Sequence, residues 1–102
     1  MGDALREAVE GGIYAHDTEL QRLFVALAYR LRHARAKHDW TTTDTDYRAQ
    51  FYALDVLNIE LHELEEAVVN GEGRSREKDE ALDVIAVAAR YWLGDHLPEG
   101  EK

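Results

Sequence analysis

A single proline, Pro98, stands near the end of this chain, so the long stretch before it contains no obligatory helix break. Apolar residues in that stretch recur every three or four positions rather than every two, which is the period of a helix with one apolar face. The spacing predicts three main helices, at about 17–38, 44–69 and 75–93, after a short N-terminal segment ending near Gly11-Gly12. The first carries the stripe Leu20, Leu23, Phe24, Leu27 and Leu31, and the second Phe51, Leu54, Leu57, Leu61, Leu64 and Val68. Thr41-Thr42-Thr43-Asp44 offers N-caps for the second helix and Ser75 one for the third. Asn70-Gly71-Glu72-Gly73 has C-cap chemistry, and Gly94 closes the third helix. The fold class that follows is all-α, an antiparallel helical bundle. The third helix is apolar nearly all round, more than three helices of one chain can cover. A four-helix core completed by oligomerisation, as a homodimer or homotetramer, is therefore expected.

Length and charge narrow the function. At 102 residues the chain, 1–102, is read as a single helical domain. Its 21 acidic against 12 basic residues give a formal charge of −9, which argues against nucleic acid or an anionic membrane as a general partner. Phosphates bridged by a metal ion remain open. There is no cysteine, hence no disulfide, thiolate ligand or cysteine nucleophile, and the five histidines have no zinc-like pairing. The longest apolar stretch, around residues 84–93, is too short to span a bilayer, and the N-terminus lacks the features of a signal peptide. A soluble cytoplasmic protein is expected.

Two acidic pairs at helical spacing carry the chemistry: Glu60-x-x-Glu63 in the second helix and Glu80-x-x-Asp83 in the third. Carboxylates three apart share a helix face, where like charges repel, and a solvated face tolerates this easily. Asp83 is different. Its neighbours Ala81, Leu82, Val84, Ile85, Ala86, Val87, Ala88 and Ala89 describe a helix buried on most sides, where an unpaired carboxylate costs several kcal/mol or takes up a proton. A divalent cation shared by several carboxylates removes that penalty, and hard ions such as Mg²⁺ or Mn²⁺ prefer oxygen ligands. At 100° per residue Glu60 stands about 70° from the direction of Leu57, Leu61, Leu64 and Val68, at the border of the core. A hairpin across the Gly-containing loop lets both pairs meet, with Glu80, Asp83, Val87 and Arg90 on one face. A di-iron carboxylate bundle would need Glu-x-x-His motifs, and no His here lies three residues after a Glu.

At these residues the chain resembles the MazG-like all-α nucleoside triphosphate pyrophosphohydrolases, including the short dUTPase-type and dCTP pyrophosphatase-type members. The pattern is a Glu-x-x-Glu helix, a loop, then Glu-x-x-Asp in the next helix, and the match is clearest over about residues 55–91. The resemblance implies hydrolysis of a (d)NTP between the α and β phosphates, in nucleotide-pool sanitation or remodelling, with Mg²⁺ as cofactor and Mn²⁺ as a substitute. It places Glu60, Glu63, Glu80 and Asp83 at the metal-ligand positions. Glu63 is the candidate acceptor for the proton of the attacking water. Family members often carry a Tyr four residues after the Asp, where this chain has Val87. Phosphate contacts are then expected from Arg90, Lys78 or Arg76, and contacts to the base from Trp40 or Asn58, although aromatics at helical spacing are usually core. His62, between the two ligand Glu residues, points about 100° from either and suits a surface or subunit contact. The rival readings are a non-catalytic acidic helical module that mimics DNA and a cation-binding structural bundle without turnover. A mimic spreads its carboxylates over the surface, whereas Asp83 is predicted inside.

Overall fold

The computed structural model describes residues 18–38, 40, 46–97 and 99–102, and all the regular structure among them is helical. Three helices, α1 (Thr18–Lys37), α2 (Asp46–Val69) and α3 (Arg74–Leu93), are followed by a 3₁₀ turn at Glu99–Glu101. Among the described residues α3 packs against both α1 and α2, while the backbones of α1 and α2 do not approach within 8 Å of each other. The last helix is thus the centre of the fold. The N-terminal segment before Gly12, the caps expected of Thr41 to Asp44, and Pro98 lie outside the described residues.

Glycine placement explains the two sharp stops. At the end of α2, Gly71 takes φ 62°, a left-handed conformation open to glycine because it has no Cβ. The Glu72 N–H then donates to the Ala67 carbonyl at 3.0 Å and the Gly71 N–H to Val68 at 3.1 Å, the paired bonds of a Schellman stop. Gly94, at φ 78° and ψ 28°, closes α3 in the same way, with the Asp95 N–H donating to Arg90 and the Gly94 N–H to Tyr91. The start of α3 differs from expectation. Gly73 occupies the N-cap position with no side-chain hydrogen bond, and Ser75 lies inside the first turn. The helix begins two residues earlier than a cap at Ser75 allows.

The face α2 turns to α3 also differs from the leucine stripe. The buried positions are Ala53 and Ala67, and between them Val56, Leu57, Glu60 and Leu64 are half-buried. These recur at three, four and seven, a helical face with alanine at both ends, where small side chains let the two backbones approach closely. Phe51, Leu54, Leu61 and Val68 from the expected stripe are left exposed. Glu60 therefore sits within the α2–α3 seam rather than at its border. The apolar core itself is small: Trp40, Ala53 and Val87, with Val56 and Leu57 against them. α1 contributes no fully buried side chain.

The end of the fold is closed by charge. Arg90, 3 % exposed, donates from Nε to Asp95 Oδ2 at 2.8 Å and from Nη2 to the His38 carbonyl at 2.7 Å, and its guanidinium lies 4.0 Å over the Trp40 ring. Arg35 of α1 grips the same carboxylate with two bonds of 2.8 Å. Asp95 is thereby held by one arginine from each of two helices. Burial works against its charge, but the bonds from Arg35 and Arg90 hold its carboxyl below the ordinary aspartate value. The Tyr91 and His96 rings stack beside it at 4.4 Å.

Candidate metal centre

The α2–α3 seam brings three of the four motif carboxylates together. Oxygens of Glu60, Glu63 and Glu80 lie within 4.8 Å of one another. Two oxygens on opposite sides of a Mg²⁺ ion stand about 4.2 Å apart, so the three are already near the spacing that one cation asks of its ligands. Glu60 follows Leu57 by three residues and precedes Leu64 by four, which holds it in the seam. Glu63, three further on, reaches the cluster from the solvent side, and Glu80 faces α2 from the second turn of α3.

Burial distributes the roles differently from the sequence expectation. Glu80, 4 % exposed, is the buried carboxylate of the second pair, whereas the Asp83 side chain is 27 % exposed. Residues three apart on α3 diverge enough that Glu80 follows the buried face shared with Val87 while Asp83 turns toward α1. There Arg30 meets it, donating at 2.6 Å to Asp83 and at 2.6 Å to Asp79 one turn earlier. Asp83 is thus paired rather than stranded, and it lies outside the tight group of three. It remains close enough for its charge to act on both Glu60 and Glu80.

The cluster is electrostatically unsettled. Burial in the seam, with the charges of Glu63 and Asp83, a hydrogen bond shared with Glu63 and the charge of Glu80, pushes the Glu60 carboxyl up to about 7. Burial raises Glu80 as well, partly offset by Arg76, which bonds it at 2.6 Å from one turn before. Even so, Oε2 of Glu60 and Oε2 of Glu80 are buried without a hydrogen-bond partner. An unsatisfied buried acceptor costs about 1–3 kcal/mol, and this cluster holds two. The donor set is all carboxylate, the chemistry preferred by Mg²⁺ and Mn²⁺.

The expected substrate contacts scatter. Arg90 is engaged with Asp95, the His38 carbonyl and Trp40, which leaves it no role as a free phosphate donor. Trp40, 2 % exposed, lies in the core beneath Arg90 rather than lining an open pocket. Asn58 is exposed on α2. Lys78 is exposed and lines a groove of about 1190 Å³ between α1 and α3, with Arg22, Arg74 and Arg76 also on its walls and Leu23, Ala26, Leu82 and Ile85 among its apolar lining. His62 is exposed and bonded at 3.1 Å to Glu66, a surface role. Sequence reasoning missed Arg30. Its signal lay in the basic second half of α1, Arg30 to Lys37, in an otherwise acidic chain, and in the one-turn spacing of Asp79 and Asp83. Comparison with family models, with curated proteins and with solved structures finds no match. No helix among the described residues is long and apolar enough to cross a membrane.

Proposed function

We propose that this chain is a metal-dependent nucleoside triphosphate pyrophosphohydrolase of the MazG-like kind, cleaving a (d)NTP between the α and β phosphates. The observation that carries the reading is the pair of buried, unpartnered carboxylate oxygens on Glu60 and Glu80, within a three-carboxylate group that follows the Glu-x-x-Glu and Glu-x-x-Asp order. Glu60, Glu63 and Glu80 would hold the ion, with Asp83 at the fourth motif position. Mg²⁺, or Mn²⁺ in its place, supplies charge neutralisation on phosphate oxygens and a more acidic water. The chain's own residues do the rest. Glu63, at the solvent edge, accepts the proton of the attacking water, and the buried Glu80, fixed by Arg76, sets one wall of the site. Lys78, exposed two residues before Glu80, is the candidate cation for a phosphate oxygen.

Oligomerisation belongs to the same reading. Tyr29, Phe51, Val69 and Trp92 are 68 %, 61 %, 83 % and 74 % exposed, and among the described residues α2 carries a second, exposed apolar face at Leu54, Leu61 and Val68. Apolar surface on this scale is what an interface buries. A second copy completes a four-helix core, as a homodimer or homotetramer, and sedimentation velocity should give a mass that is a multiple of the single chain.

Incubation with a panel of dNTPs and NTPs plus Mg²⁺ tests the activity. The expected products are the monophosphate and pyrophosphate. Release of orthophosphate would overturn α–β cleavage. Cation binding without turnover of any triphosphate would favour the structural bundle instead.

A further inference from the structure

Arg30 lies beside the acidic cluster but belongs to a different helix. Its Nη1 donates to Asp83 and its Nη2 to Asp79, each at 2.6 Å, so one guanidinium spans two successive turns of α3. This differs from the usual fork on one carboxylate, because each nitrogen fixes a separate side chain. The clamp gives Asp83 a positive partner, while the charge of Asp83 still bears on Glu60 and Glu80. Glu60 and Glu80 themselves keep unpartnered oxygens. In the cation-free protein Arg30 thus supplies positive charge from the α1 side, through Asp83, while Arg76 supplies it to Glu80 from α3 itself.

We propose that Arg30 is a positioning residue for the acidic cluster, holding Asp83 toward α1 and competing for it with a divalent cation drawn to Glu60, Glu63 and Glu80. This rests on the cation reading of the site. The pair is suited to exchange, since the side chains of Arg30 and Asp83 are 29 % and 27 % exposed and water screens their attraction in part. When Asp83 turns to the cluster, Arg30 keeps Asp79, so its charge is not stranded. α1 also stays in place, because Arg35 still grips Asp95 and Arg90 still bonds the His38 carbonyl. Cation binding thus carries the cost of breaking the Arg30–Asp83 bond, and removing Arg30 removes that cost.

Titration with Mn²⁺ alone, followed by calorimetry, tests this on the wild-type chain and on Arg30→Met, Arg30→Lys and Arg22→Met. Arg22 stands two turns earlier on α1, so its variant removes the same charge without touching Asp83. Arg30→Met should bind Mn²⁺ roughly five- to tenfold more tightly than wild type, within the usual range of coupling between linked sites. Arg30→Lys, a single point charge that cannot bridge two carboxylates, should fall between, and it serves as the readout should the methionine variant not fold. Arg22→Met should stay near wild type. Equal or weaker binding in both Arg30 variants overturns the proposal, as does equal tightening in Arg22→Met, which would make the effect one of net charge. Absence of Mn²⁺ binding in the wild type would instead overturn the cation site itself, and this proposal with it.

Discussion

Glu60→Gln should lower turnover by about a hundredfold or more and, in the same variant, stabilise the cation-free protein at pH 8 by about 2 kcal/mol. The two effects have one cause. Glu60 is pushed up to about 7 because burial and three neighbouring carboxylates disfavour its charge. A carboxyl raised in this way stabilises the fold fully below its ordinary value near 4.5, and that contribution is lost as pH rises through about 7. At pH 8 the wild type holds an ionised Glu60 in the seam against Glu63, Glu80 and Asp83, whereas the amide carries no charge there. The full shift corresponds to about 3 kcal/mol at 1.36 kcal/mol per unit, and because Glu60 is only half-buried, screening by water reduces it to about 2 kcal/mol. Urea melts in chelator at pH 5 and pH 8 check the stability: the gain should be small at pH 5 and plain at pH 8. Retained turnover, or a variant no more stable than wild type at pH 8, would overturn the assignment of this cluster as the site.

Asp95→Asn should cost about 3–5 kcal/mol, a large share of the roughly 5–15 kcal/mol that holds a domain of this size together. The amide cannot match two arginines, and it leaves the Arg90 guanidinium, 4 % exposed, buried with a weakened partner. Thermal melts followed by circular dichroism should drop by about 15 °C or more. Arg35→Met should cost much less, about 1 kcal/mol, because the Arg35 side chain is half exposed at 48 % and its loss leaves Asp95 bonded to Arg90. Equal effects from the two variants would contradict the division of labour described for this end of the fold. Because Asp95 is held below its ordinary value, its contribution persists above the normal aspartate range and is lost as pH falls through the lowered value. Acid should therefore unlock this end while it protonates, and so relieves, the Glu60 cluster.

Much of the architecture was legible because helices announce themselves locally. The three- and four-residue recurrence of apolar positions, Gly71 after Val69 and Gly94 after Leu93 are short-range signals, and three helices follow from them. What a helix faces is a long-range property. α2 has apolar residues on two faces, and nothing local says that Ala53 and Ala67, rather than Phe51 and Leu61, meet α3. The same reason exchanges the roles of Glu80 and Asp83: the spacing places both near one face, and only the position of α1 decides that Asp83 turns away. Arg30 is 53 residues from Asp83, beyond any local pattern. Arg90, likewise, looked available until Asp95 and the carbonyl of His38 were brought against it.

The arrangement of α3 between two helices whose backbones stay apart has a consequence for the order of assembly. α2 and α3 are joined by a short loop with a built-in stop at Gly71, so their contacts close small loops at little entropic cost. α1 meets α3 and the turn that follows it through pairs 49, 53 and 60 residues apart, and it brings no fully buried side chain to the meeting. Contacts that distant come late on the route to the native state, after the hairpin has given them a surface. Changes in the α2–α3 seam then act on the folding rate, whereas changes at Arg30 or Arg35 act on the rate of unfolding.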